Sequence, residues 1–155
     1  MPKCPTRYHG EMEYPEEAVV TFPRGLFGFE DERRFVLIEN PATRPIVFLQ
    51  SLATPDLCFL ALPARVVDPN YQLEIAPEDL EEIGLPADET PRIGEDLLCL
   101  SLITVREGGP TTANLLAPVV ICMQGRKGVQ AISTAAASYS HEAAFLEVPG
   151  GVACS

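Results

Sequence analysis

The sequence predicts a mostly β fold: a small antiparallel, barrel-like domain with one short helix at about residues 77–84. Three observations predict it. Short runs of β-branched and aromatic residues recur along the chain, proline or glycine closes nearly every run, and one segment has helical periodicity. A length of 155 residues is enough for a single domain. We expect residues 1–140 to form that domain and residues 141–155 to form a loosely ordered tail.

Four strands are predicted in the first part of the chain. Each is a short run of strand-forming residues, and each ends close to a proline, which cannot continue a β-ladder. The four runs are residues 18–22, 35–39, 46–52 and 57–62. They are too short for free-standing helices, so the first half of the domain is expected to be strands joined by turns.

The pattern changes after residue 70. Residues 71–75 (Y-Q-L-E-I) alternate apolar and polar side chains, which predicts an edge or half-buried strand. Residues 77–84 begin with proline, carry acids in the first turn and end with glycine, and Leu80 and Ile83 fall on one face. These features predict the single short helix. Residues 85–95 contain two prolines and a glycine and are expected to be a loop.

The strongest strand prediction covers residues 96–105. Residues 112–123 form another apolar run, which Pro118 interrupts, so this run lies at an edge, contains a bulge or forms two strand halves. A hairpin turn at residues 124–128 leads into a last strand at 129–133.

The acidity of the chain is concentrated in one segment. Between Glu74 and Asp96 there are nine carboxylates against one base, Arg92, so this segment carries −8 of the formal net charge of −11. A concentrated negative field repels nucleic acid phosphate and attracts cationic protein surfaces. The segment therefore favours a protein partner over direct nucleic acid binding. A solvated helix face is the simpler explanation of the same charges.

Several classes of function find no support in the sequence. No apolar run is long enough to span a membrane, and we expect a cytoplasmic protein. The five cysteines are spread widely without a C-x-x-C pair, which indicates inert thiols, and neither histidine has a second one at metal-binding spacing. No phosphate-binding or catalytic motif is present. We therefore expect no catalytic residue, metal or cofactor.

Several motifs resemble the bacterial flagellar assembly factor FliW family. They are residues 20–30 (V-T-F-P-R-G-L-F-G-F-E), 34–39 (R-F-V-L-I-E), 49–59 (L-Q-S-L-A-T-P-D-L-C-F) and 112–121 (T-A-N-L-L-A-P-V-V-I), together with 8–11 (Y-H-G-E) and 68–71 (D-P-N-Y). The motifs occur in order from about residue 6 to residue 140. After Tyr139 and Ser140 the chain departs from the T-R-H-P-like sequence that is usual in the family.

The resemblance implies a compact, barrel-like β fold and a non-enzymatic role. Members of this family bind flagellin in the cytoplasm and also bind CsrA, a small RNA-binding regulator of translation. Accumulated flagellin occupies the assembly factor and leaves CsrA free to repress flagellin translation. After flagellin export, the factor sequesters CsrA and translation resumes. The expected partners are therefore flagellin and a CsrA-type regulator, with no direct nucleic acid or membrane contact, and we expect a monomer.

The predicted partner site centres on residues 71–82. Glu74, in a Y-x-x-E-I pattern that resembles the family's, is the leading candidate, although it also fits an ordinary exposed strand acid. Tyr71 and Leu73 beside it could supply apolar anchor area, which carries more binding energy than charges at the rim of an interface. Asp79 and Glu82 would be such rim charges, with more effect on association rate than on affinity.

Two further candidates lie outside that segment. Asn114 is polar within an apolar run and is expected either to bond to backbone across a bulge or to recognise a partner strand. Phe27 and Phe29 flank Gly28, which predicts a turn with positive φ and rings anchored in the core. An exposed Phe27 would instead indicate a flagellin contact.

Two other functions remain open at this stage. A small-ligand-binding β-barrel, possibly enzymatic, would require an apolar cavity with convergent polar groups. A structural subunit of the flagellum is the third hypothesis. A solid barrel core would argue against the ligand-binding barrel. Recovery as a soluble monomer would argue against the structural subunit.

Overall fold

The computed structural model describes residues 2–7, 10–88, 91–105, 108, 110–134, 139–140 and 142–144. These residues form eleven strands, two short α-helices and a 3-10 turn at Glu16–Ala18. The strands are β1 (Lys3–Thr6), β2 (Gly10–Glu13), β3 (Val19–Thr21), β4 (Arg34–Glu39), β5 (Val47–Ser51), β6 (Cys58–Pro63), β7 (Leu97–Thr104), β8 (Thr112–Ala113), β9 (Val119–Cys122), β10 (Gly128–Gln130) and β11 (Ala143–Ala144). The helices are α1 (Ala64–Val67) and α2 (Pro77–Glu82).

The main sheet is antiparallel and nearly closed into a barrel. Its order is β10-β9-β7-β6-β5-β4-β3, with β8 and β11 branching from β7. The two ends of this order meet, because the N–H of Thr21 on β3 donates to the carbonyl of Arg126 (3.0 Å) in the turn before β10. The Arg126 guanidinium also donates to the carbonyl of Ala18 at 3.0 Å. Closure of this kind removes most of the exposed sheet edge.

The barrel interior is filled with apolar side chains from β3, β4, β5, β6, β7 and β9 and from the segment after β3. These buried residues, the barrel core, are Val20, Phe22, Leu26, Phe35, Val47, Leu49, Ala61, Leu100, Val119 and Ile121. Gly128 allows β10 to lie directly against this core, since a Cβ added there would fall 2.5 Å from the Phe22 ring. The interior is thus a packed core, which argues against a ligand cavity inside the barrel.

Two further cores lie on the outer face of the same sheet. Successive residues of β9 belong to different cores, Val119 to the barrel core and Val120 to an outer one, so both faces of this strand are buried. Residues 64–83, which we call the acidic cover, pack over β7 and β9. Residues 3–14, the N-terminal cover, pack over β3 and β4.

The predicted fold class is confirmed, and so are most of its elements. Each of the four early strands forms within two residues of its predicted bounds, as do the strand predicted at 96–105 and the helix predicted at 77–84. The run broken by Pro118 is two strand halves, β8 and β9, on two branches of the sheet. The additional helical turns at Ala64–Val67 and Glu16–Ala18 had no clear signal in the sequence.

One predicted strand is wrong. The alternating burial of residues 71–75 indicates an extended chain, but these residues do not pair with any strand of the described chain. The reason is positional: the chain turns at Asp68, whose carbonyl accepts the Tyr71 N–H at 2.9 Å, and then runs across the outer face of the sheet. An alternating pattern reports which face is buried, and it does not supply a neighbouring strand.

The C-terminal part of the described chain returns to the sheet. β11 pairs with β8, with Ala143 opposite Ala113. The tail predicted from residue 141 lies mostly at 145–155, outside the described residues, so the division at residue 140 stays a prediction.

Candidate functional site

An open groove of about 700 Å³ lies on the acidic cover. One wall is the extended segment 72–75, and the other is the loop that follows α2. Its lining residues are Arg65, Gln72, Leu73, Glu74, Ile75, Leu80, Ala87, Asp88, Pro91, Arg92, Ile93, Glu95 and Thr134. The groove therefore combines apolar floor residues with charged residues of both signs, and it lies outside the barrel core.

The extended wall is held against the sheet by Tyr71. Its side chain is fully buried, its hydroxyl donates to the carbonyl of Leu115 at 3.3 Å, and its ring lies 4.5 Å from that of Tyr139. Ile83, at the end of α2, is buried in the same outer core. Tyr71 thus fixes the segment from beneath in this conformation and presents no surface of its own to a partner.

The Cys99 thiol and the Tyr71 hydroxyl, buried in the outer core beneath the groove, both stay uncharged. Burial raises the pKa of the Cys99 thiol to about 12, and Arg65 and Tyr71 oppose this effect. Burial also raises the pKa of the Tyr71 hydroxyl far above its ordinary value, with smaller contributions from Cys99 and Tyr139. Because a thiolate is the reactive form of cysteine, Cys99 is an inert core residue at neutral pH, as the sequence predicts.

Leu73 and Glu74 lie at the groove itself. The Leu73 side chain is partly buried against the outer core, while Glu74 is exposed. Both line the groove, so the two candidates are adjacent to the same space. Within the described chain, Glu74 forms no ion pair. Its carboxylate is therefore available to a cationic group from a partner.

Asp79 and Glu82 are engaged within the protein. Asp79 accepts a 2.6 Å hydrogen bond from the Arg24 guanidinium, and its side chain is only 16% exposed. Glu82 lies 3.8 Å from the same guanidinium. Their role as rim charges stays a prediction, and the geometry limits it, because Arg24 already offsets part of their charge.

A second internal ion cluster lies at the far wall of the groove. Arg92 pairs with Glu95 at 2.8 Å and with Asp96 at 3.7 Å. Four of the described carboxylates of the acidic segment are thus paired. The other four that the structure describes, which form no ion pair with another described residue, are Glu74, Glu78, Glu81 and Asp88. The anionic surface is smaller than the formal charge of the segment suggests.

Phe27 and Asn114 lie away from the groove lining. Phe27 is 52% exposed at a tight turn in which Gly28 has φ +83°. The turn prediction is confirmed, but the expectation that both rings are anchored in the core is wrong, because Phe29 is also exposed, at 40%. Asn114 accepts the N–H of Ala117 through Oδ1 at 2.9 Å, which stabilises the break between β8 and β9.

The structure brings Leu73, Glu74 and α2 together and leaves Phe27 and Asn114 apart from them. Sequence reasoning missed three arginines that shape the site: Arg24, Arg65 and Arg92. Arg24 is 55 residues from Asp79 in the chain, and no sequence pattern links the two. Only folding makes them neighbours.

Two other kinds of site are absent from the part of the chain that the structure describes. No group of three or more histidine, cysteine or acidic side chains could hold a metal ion. Likewise, none of the described helices combines the length and apolar character needed to cross a membrane.

A protein-family comparison matches the FliW protein model over residues 3–144. Among curated proteins, the chain is 36% identical over 126 residues to the flagellar assembly factor FliW of Syntrophomonas wolfei, which covers 81% of this chain and 77% of that protein. It is 35% identical over 133 residues to the FliW of Geobacillus sp. (strain WCH70), covering 85% and 88%.

A solved structure has the same fold. A crystal structure described as that of the flagellar assembly factor FliW superposes with a TM-score of 0.79 and 32% sequence identity. The match covers 94% of this chain and 97% of the crystallised one. Similarity of this extent includes both outer covers as well as the barrel.

Proposed function

This chain belongs to the FliW family, and we propose that it is a cytoplasmic flagellar assembly factor that binds flagellin and sequesters a CsrA-type translational regulator. The observation that carries the proposal is the family match across residues 3–144, together with a shared fold over nearly the whole chain. The work proposed for it is binding, with no chemical step.

The proposed mechanism is partner switching. While flagellin accumulates, it occupies this protein, and the regulator is free to repress flagellin translation. When flagellin is exported, this protein takes up the regulator and translation resumes. Switching requires that one partner lower the affinity for the other, and thermodynamic linkage makes that effect mutual.

Electrostatics support the regulator-binding half of the proposal. A protein that binds RNA needs a cationic surface. The carboxylates of Glu74, Glu78 and Glu81 on the acidic cover and of Asp88 in the loop after it, which form no ion pair with another described residue, favour such a surface. Leu73 and the apolar floor of the groove would supply desolvated contact area, which contributes more to affinity than charge does. We therefore place the regulator at the groove, with Tyr71 supporting it from beneath.

The exposed turn at Phe27 supports a separate apolar contact, which we assign to flagellin. Phe27 is half exposed, and its N–H donates to Gln130 Oε1 at 2.9 Å, which fixes the turn on the barrel. Phe29, on the other side of Gly28, packs edge-to-face on Phe59. A rigid turn that holds an exposed ring is suited to a partner's apolar surface.

A competition titration tests the proposal. Purified protein is titrated with flagellin in the presence of the CsrA-type regulator, and both complexes are followed by size-exclusion chromatography and calorimetry. We expect both partners to bind and each to lower the affinity for the other. Binding of neither partner would refute the function, whereas simultaneous, independent binding would refute the switching.

Glu74→Lys locates the regulator site. We expect regulator affinity to fall by about tenfold or more, because the substitution places a like charge opposite a cationic surface. Glu17→Lys, on an exposed acid beside the N-terminal cover, is the matched control. Equal regulator affinity in the two variants would move the interface away from the groove.

A further inference from the structure

Within the described chain, the backbone of residues 72–75 is hydrogen-bonded on one side only. The Gln72 N–H donates to the Tyr139 hydroxyl at 2.8 Å, and the Glu74 carbonyl accepts the N–H of Thr134 at 2.7 Å. Backbone groups of successive residues in an extended chain point to opposite sides, so both bonds lie on the side of the even-numbered residues. The C-terminal part of the described chain therefore satisfies that side.

The other side is an open strand edge. Among the described residues, no hydrogen-bond partner reaches the backbone N–H or C=O of Leu73 or Ile75. Tyr71, which has the same parity, gives its carbonyl to Arg65 Nε at 3.2 Å, so Arg65 closes one end of the edge. Thr134 and Arg65 both line the groove, which accordingly runs across the segment and reaches this edge.

We propose that the backbone edge of Leu73 and Ile75 takes up one extended, basic segment of a protein partner by strand addition. This inference rests on the proposed role as a protein-binding factor and names its mode of docking. The sequence pattern of residues 71–75 is that of a strand, and none of the described strands pairs with it. A partner strand would supply the missing ladder.

The side chains on the two faces of this edge define the occupant. Leu73 and Ile75 point toward the apolar outer core, whereas Gln72 and Glu74 are exposed on the opposite face. An added strand alternates its side chains in the same way, so apolar residues would meet Leu73 and Ile75, and the intervening residues would meet Glu74. The exposed side chains of the occupant would therefore be cationic.

The charges around the groove favour the same occupant. Asp88 lies on the facing wall without an ion pair to any other described residue, while Arg92 is offset by Glu95 and Asp96. The four residues 72–75 span about 13 Å, which suits a short recognition segment. Recognition through the backbone would tolerate different sequences, provided that basic and apolar residues alternate.

The test uses a defined probe and the full-length protein. The probe is an acetylated, amidated seven-residue peptide of alternating lysine and valine. The matched control has the same sequence with N-methyl groups on alternate backbone amides, which keeps the charge and removes strand pairing. Binding is measured by fluorescence anisotropy, and amide exchange at single residues is followed by NMR.

We expect the unmodified peptide to bind and to slow exchange at Leu73 and Ile75, with the N-methylated peptide at least about tenfold weaker. A glutamate–valine peptide should not bind. Equal binding of the two lysine peptides would reduce the effect to charge attraction and overturn the proposal. So would protection of these amides in the free protein at high concentration, which would indicate pairing with a second copy.

Protein variants separate this inference from the proposed function. Glu74→Lys should weaken the lysine peptide by about tenfold, whereas Glu17→Lys should leave it unchanged. If flagellin and the regulator bind but the peptide does not, strand addition is wrong and the assembly role stands. If the peptide binds and protects Leu73 while neither protein partner binds, strand addition stands and the proposed assembly role is wrong.

Discussion

The N-terminal cover and the acidic cover solve the same packing problem in different ways. Each places a small apolar core on the outer face of one sheet, the first over β3 and β4 and the second over β7 and β9. The N-terminal cover is a hairpin whose strands pair from Lys3–Glu13 to Thr6–Gly10. The acidic cover consists of α1, α2 and, between them, a segment that no strand of the described chain pairs.

The difference shows how a surface becomes available for binding. In the hairpin, each strand satisfies the backbone edge of the other, and Lys3 lies within 4 Å of both Glu11 and Glu13. In the acidic cover and the loop after it, apolar side chains are also buried, but one backbone edge and the carboxylates of Glu74, Glu78, Glu81 and Asp88 have no partner in the described chain. Packing holds the acidic cover in place, and its unmet backbone and charge are what a partner can use.

The largest effect should come from the core of the acidic cover. Ile83→Ala removes a fully buried side chain and should lower the free energy of unfolding by about 2–4 kcal/mol. Met12→Ala, partly buried in the N-terminal cover, should cost less. Urea denaturation measures both. Equal losses would mean that the two covers contribute equally to stability.

The next largest difference between the two covers should be in how the free energy of unfolding depends on alkaline pH. The pKa of Cys99 rises from 9.0 to about 12 on folding. Between these two values the unfolded chain loses the thiol proton while the folded chain keeps it. The contribution of Cys99 to the free energy of unfolding is therefore complete below pH 9 and is lost as pH rises toward 12. In that range Cys99→Ala should make the decline of unfolding free energy with pH shallower by about 1.4 kcal/mol per pH unit. The readout is this slope, since the lost side chain lowers stability equally at every pH.

Cys4→Ala is the matched variant in the N-terminal cover. Burial also raises the pKa of Cys4, but by less than it raises the pKa of Cys99. We therefore expect a smaller change in slope than for Cys99→Ala. A larger change in slope for Cys4→Ala than for Cys99→Ala would contradict this prediction, because it would mean that folding raises the pKa of Cys4 more than that of Cys99.

The ion pairs of the two covers should differ by less in their contribution to the free energy of unfolding. Asp79→Asn weakens a 2.6 Å contact with Arg24 at a mostly buried carboxylate and should cost about 1 kcal/mol in thermal or urea denaturation. Lys3→Met breaks contacts between side chains that are all more than half exposed, and we expect a change within about 0.5 kcal/mol. High salt should shrink the first effect only in part, since burial limits screening.

The smallest effect on stability should come from Glu74→Lys, within about 0.5 kcal/mol, because the side chain is exposed and unpaired in the described chain. The effect of the same substitution on binding should be large, because we expect regulator affinity to fall by about tenfold or more. Thermal denaturation and calorimetry on the same preparation check both. A destabilised variant would show that Glu74 serves the fold.

Local chemistry made most of the fold predictable. Prolines lie at or near the ends of β4, β5 and β6, and the acids after Pro77 mark α2. The strand predicted at 71–75 failed because pairing is a property of neighbours, which periodicity does not report. Phe27 failed for a related reason: an aromatic ring beside a turn glycine can face either way, and the bond from its N–H to Gln130, 103 residues away, fixes which.

The sequence by itself determined the class of fold, the family and the location of the acidic segment, because these depend on residue types that lie close together in the chain. Only the tertiary structure decided which charges remain unpaired and which backbone edge stays open. Arg24 reaches Asp79, and Thr134 reaches Glu74, across long stretches of sequence. The physical reason is that charge pairing and strand pairing are short-range interactions between groups that meet only after the barrel has closed.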